Sequence, residues 1–132
     1  MKCAELLDQD ELFALETGML DPANFPHSEH VRLGFEMLER YPFTEALARF
    51  SNGLKLLAAK GGRPERYHET ITVAFLTLIN ERRVQSTYDD WSDFRAHNSD
   101  LLDKRCLENW YEAEQLNSDL ARKIFCLPRP RW

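Results

Sequence analysis

Phe25-Pro26-His27-Ser28-Glu29-His30-Val31-Arg32-Leu33-Gly34-Phe35-Glu36-Met37-Leu38-Glu39-Arg40-Tyr41-Pro42 is the stretch that decides the fold class. Counted from His30, the residues Leu33, Gly34, Met37 and Tyr41 recur at helical spacing and form one stripe. Val31, Phe35 and Leu38 make an adjoining apolar row, so a helix over 27–41 would bury a broad face. Pro42 stops it, because the residue before a proline is driven out of the helical region.

The same reading extends in both directions. Thr44 reads as the cap of a helix over 44–60, with Glu45 near its positive end and Leu47, Phe50, Leu54, Leu57 and Ala58 on its inner face. Gly61-Gly62 ends it. Gly53 in its middle costs about 1 kcal/mol against alanine, which implies close packing at that point. Pro64 suits the first turn of a third long helix, 65–83, whose core stripe is Ile71, Phe75, Leu78 and Ile79. Upstream, Asp8 and Glu11 form a capping box for a short helix carrying Leu12, Phe13 and Leu15, which Gly18 ends. Downstream, Thr87 and Asp90 form a second box before Trp91 and Phe94, and that helix stops near Asn98. Asp103 caps a segment with Leu107, Trp110 and Tyr111, Ser118 caps a last turn or two, and Pro128 and Pro130 break the tail. No strand-like alternation competes. The expectation is an all-α, single-domain helical bundle over 1–132, of about five to seven helices, with its core built from 27–41, 44–60 and 65–83.

Composition narrows the function classes. A formal charge of −5 argues against a nucleic-acid binder, which needs a basic face. Short basic pairs such as Arg82-Arg83 read as solvated surface. No apolar run is long enough for a membrane span, and the N-terminus turns acidic at once instead of forming a signal peptide. Cys3, Cys106 and Cys126 are odd in number and widely spaced, so no disulfide framework is expected and the cytosol is the natural compartment.

Several strings resemble a family of small bacterial helical proteins whose function is unassigned. They are Phe25-Pro26-His27-Ser28-Glu29-His30-Val31-Arg32-Leu33, Tyr67-His68-Glu69-Thr70-Ile71-Thr72 and Glu81-Arg82. The pattern continues with Trp91, Phe94 and Asn98-Ser99-Asp100-Leu101-Leu102, then Ser118-Asp119-Leu120-Ala121-Arg122, Phe125 and Leu127-Pro128. The resemblance spans about 25–128 and implies domain unity without supplying an activity. Similar proteins carry a small residue near position 97, which sets His97 apart from any shared site.

The other three histidines are the candidates for chemistry. If 44–60 runs back along the bundle, helices 27–41 and 65–83 are parallel, and His27, His30 and His68 lie at the same end. Three neutral imidazoles can ligate a divalent metal, iron or zinc, and leave positions open for water or substrate. His27 and His30 are three apart and so share a helix face. Glu69 points about 100° from His68 on a helix, which suits a general base or an outer partner of an imidazole better than a ligand. Helix N-termini also attract anions, so a small carboxylate or phosphate is a compatible ligand. His68-Glu69-Thr70-Ile71-Thr72 starts like a zinc-peptidase motif, but Thr72 stands where the second histidine is required.

A plainer reading gives His30 and His68 the work of satisfying loop carbonyls. The protein is then a non-catalytic ligand-binding or protein-interaction module. Arg82 lies about 21 Å along its helix from His68 and reads as a structural partner of an Asp or Glu. Tyr41, Tyr67, Trp91 and Trp110 read as core. Oligomeric state and substrate leave no trace in the sequence.

Overall fold

Prolines and glycines bound the long helices of the first half of the chain, and side-chain caps open most of those that follow. The computed structural model describes residues 11–130, and every regular element among them is helical. Asp8 of the first capping box and Cys3 lie outside the described residues. The contacts divide the chain into two compact units that meet between Tyr67 and His68.

In the first unit, α1 is described over 11–16 and ends at Thr17-Gly18, where the Met19 N–H donates to the Ala14 carbonyl at 2.8 Å. A 3-10 turn at Pro22–Asn24 leads to α2 (His27–Arg40) and α3 (Phe43–Lys60). Only Tyr41-Pro42 joins these two helices, and they pack on each other. Helix α2 buries Val31, Leu33, Gly34, Phe35, Met37 and Leu38, the broad face its spacing implied. Thr44 is not a cap. Helix α3 starts one residue earlier, directly after extended Pro42, with no side-chain cap bond. Its fully buried residues are Ala46, Phe50, Gly53, Leu54 and Leu57, while Leu47 and Ala58 are half-buried. Gly62 adopts φ +76°, a conformation glycine takes without a Cβ penalty, and the Arg63 N–H closes the helix end on the Ala58 carbonyl.

Within α1, Leu12 and Leu15 are three apart and point inward. Phe13 lies one helical step off that line and is exposed, not core. Arg49 ties the unit together. It donates to Glu16 at 2.9 Å and to Glu45 at 3.3 Å, and its guanidinium lies 4.2 Å from the Tyr41 ring centre. Gly53 sits where α1 crosses α3. A Cβ built there would be 2.6 Å from Leu15 Cγ and 3.0 Å from the Leu15 carbonyl oxygen. Gly53→Ala is therefore expected to destabilise by about 1–3 kcal/mol, despite the better helix propensity of alanine. A denaturant melt showing a stabilised variant would remove the close crossing.

In the second unit, α4 spans Glu69–Gln85, not 65–83. At the end of the first unit Pro64 opens a separate 3-10 turn, Pro64–Arg66, and Tyr67 and His68 are extended before α4 begins. The proline fits a first turn either way, so the pattern alone does not distinguish the two. The rest comprises α5 (Trp91–His97), 3-10 turns at Ser99–Leu102 and Cys106–Asn109, α6 (Ala113–Leu116) and α7 (Asp119–Lys123), followed by an irregular tail. Helix α4 packs against α7 and the Cys106–Asn109 turn.

The buried side of α4 follows Thr72, Phe75, Leu76 and Ile79, joined by Thr70 and Leu78. The expected stripe included Ile71, which is only half-buried. The face is rotated because Thr72 can go inside. Its hydroxyl donates to the His68 carbonyl at 2.8 Å. The α5 box is also shifted. Asp90, not Thr87, is the cap, accepting the Asp93 N–H at 2.9 Å, and Asp93 in turn accepts the Asp89 N–H at 3.1 Å. Asp103 accepts the Arg105 N–H at 2.9 Å in a turn directly before the 3-10 helix at Cys106–Asn109. Tyr111 is buried there, but Trp110 is exposed rather than core. Ser118 caps α7 as expected, accepting the Ala121 N–H at 3.1 Å.

Candidate functional site

Helix α2 starts at His27 directly after Pro26, which puts His27 and His30 in its first turn. Their ring centres are 6.4 Å apart, and the His30 ring lies 4.4 Å from that of Phe25. Helical spacing thus brings these two imidazoles together. They belong to the first unit, and His68 to the second.

His68 is the cap of α4, a role that histidine rarely takes. Its backbone is extended, and the ring turns back over the helix start. Nδ1 accepts the Ile71 N–H at 3.1 Å, satisfying one of the donors that a helix N-terminus leaves open. A nitrogen that accepts from an N–H carries no hydrogen, so Nε2 must carry the hydrogen of the neutral ring. Nε2 then donates to the Leu116 carbonyl at 2.6 Å. The two bonds fix one tautomer. Burial pushes the imidazole below its ordinary pKa, against the pull of the Leu116 carbonyl, and the Arg122 guanidinium adds to the depression.

Both ring nitrogens are thereby in use, and neither offers a lone pair to a metal in this arrangement. Among the described residues, no three His, Cys, Asp or Glu side chains are gathered so as to hold a metal ion. Glu69 is the first residue of α4, half-buried, where a carboxylate faces the positive helix end.

Around His68 the second unit assembles a polar cluster that the sequence did not signal. Thr70, Tyr111 and Gln115 are all nearly fully buried, at 0%, 3% and 4% exposure. Their polar atoms meet the main chain of the tail. The Thr70 hydroxyl donates to the Ile124 carbonyl at 2.8 Å and accepts the Cys126 N–H at 3.0 Å. The Tyr111 hydroxyl donates to the Cys126 carbonyl at 2.7 Å. Gln115 donates to the Leu127 carbonyl at 2.9 Å and accepts the Arg129 N–H at 3.1 Å. His68 supports this cluster, since its bond to Leu116 fixes the residue next to Gln115.

Arg82 has the structural partner its reading required. It makes a two-pronged pair with Asp100, at 2.9 and 2.8 Å, and also donates to Asn98 at 3.1 Å. The guanidinium holds the Asp100 carboxyl below its ordinary value. Cys106 lies against the same carboxylate at 3.8 Å, and burial pushes its thiol up, away from thiolate chemistry. His97 is exposed on α5, and its Nδ1 lies 2.9 Å from the Asp93 carbonyl. No helix among the described residues is long and apolar enough to cross a membrane. No family model, curated protein or solved structure matches the chain.

Proposed function

We propose that this protein is a non-catalytic helical binding module whose histidines are structural, and that it acts in the cytosol. One observation carries the reading: the buried His68 ring spends one nitrogen on the Ile71 amide and the other on the Leu116 carbonyl. A ligand to metal or a general base needs a free nitrogen lone pair at the point of reaction, and this ring has none to give. A second feature supports a binding role. Leu120, Ile124, Phe125 and Leu127 are all exposed within residues 120–127, and exposed apolar surface commonly marks interaction sites.

The test is the metal content of untagged protein together with that of the His68→Ala variant. The module reading expects no stoichiometric iron or zinc in either, with stability alone falling in the variant. Stoichiometric metal in the native chain that is lost in His68→Ala would overturn it and favour a site built from His27, His30 and His68.

A further inference from the structure

Residues 124–130 have no regular structure, yet five hydrogen bonds from three buried side chains hold their backbone. Every one of those bonds goes to the main chain of the tail. Ile124, Phe125 and Leu127 are 50%, 41% and 74% exposed, so the largest apolar residues of the tail are at most partly covered, while its hydrogen bonds are made to fully buried side chains. Through these bonds Thr70, Tyr111 and Gln115 address the N–H and C=O groups of an irregular segment, extended at Ile124, and not its side chains. Main-chain reading of this kind is how proteins bind extended peptides without strong sequence preference.

We propose that Thr70, Tyr111 and Gln115 form a binding cleft for an extended peptide segment of a partner protein, and that residues 124–129 occupy it as a ligand in cis. The inference deepens the binding-module reading by naming the class of partner. The occupant is displaceable on physical grounds. Each such bond contributes only about 1 kcal/mol net, and the segment has no regular structure of its own to hold it in place. An incoming backbone would restore the same five bonds, so none of the three buried side chains would be left unpaired after exchange.

Two readouts on the full-length chain test this together. In the native protein, the Cys126 and Arg129 amides should exchange with solvent about 100-fold or more faster than those of Phe75–Ile79 in α4, because the tail opens locally. In the full chain carrying Cys126→Pro and Arg129→Pro, the tail lacks both donors and competes poorly. That variant should bind a labelled capped peptide of residues 123–130 about tenfold or more tighter than the native chain does. A peptide with its other side chains scrambled and its prolines kept in place should bind comparably, and adding Gln115→Leu should abolish binding. Tail amides that exchange as slowly as α4 mean the tail leaves only on global unfolding, which overturns the proposal even if the variant does not fold. Peptide binding that is absent, unchanged by Gln115→Leu or confined to the native sequence overturns it equally. Neither readout depends on metal, so a metal-loaded protein would sink the module reading while these results still judged the cleft.

Discussion

Phe75→Ala is expected to lower stability by about 3–5 kcal/mol, the range for truncating a buried phenylalanine. The ring is 7% exposed on the inner face of α4, beside the fully buried Leu76 and Ile79. Ile71→Ala should cost clearly less, because Ile71 is only half-buried and its truncation opens a partly solvated site instead of a closed cavity. His97→Ala serves as the surface control and should stay within about 0.5 kcal/mol of the native chain. Denaturant midpoints measured at constant slope give all three values. Equal losses for Phe75 and Ile71 would return α4 to the face that its apolar spacing suggested.

His68→Ala is expected to cost about 2–4 kcal/mol near neutral pH. The loss combines a helix cap with a buried Leu116 carbonyl left without its donor. His68→Asn can still cap α4 through its side-chain oxygen but cannot reach Leu116, so it should recover about 1 kcal/mol of that loss. The pH dependence follows from the direction of the shift. The folded-state pKa of His68 is depressed, so below the ordinary value of 6.5 the unfolded chain binds the proton more readily than the folded one. The contribution of His68 is then fully present above pH 6.5 and is lost as pH falls from there through the depressed folded value. The gap between the native chain and His68→Ala should narrow on acidification. A gap that widens below pH 6.5 would mean the folded state prefers the imidazolium.

The helical class and the broad face of α2 were legible because apolar residues repeat with the helical period and Pro42 marks a hard stop. Close packing at Gly53 was legible too, since a glycine in a long helix has a cost that something must offset. What escaped were features in which a polar group replaces an expected one. Histidine is not among the usual capping residues, so nothing in its place on the helix stripe signals that the His68 ring closes the helix start. Thr72 occupies a core position because its hydroxyl bonds back to the helix, and that rotated the inner face away from Ile71. Thr87 and Asp90 have the right spacing for a box, but Asp90 with Asp93 has it as well, and spacing alone does not choose. Thr70, Tyr111 and Gln115 find their partners in tail carbonyls and amides well along the chain, which no local periodicity encodes.

The central claim is that the His68 ring is a neutral structural pin with its hydrogen on Nε2. The most direct measurement is the nitrogen NMR spectrum of the His68 imidazole, followed from pH 8 down to the edge of acid unfolding. The structure requires a protonated Nε2 and an unprotonated Nδ1, with the ring remaining neutral below the ordinary histidine value of 6.5. A ring carrying its hydrogen on Nδ1, or one that takes up a second proton at or above pH 6.5, would contradict it.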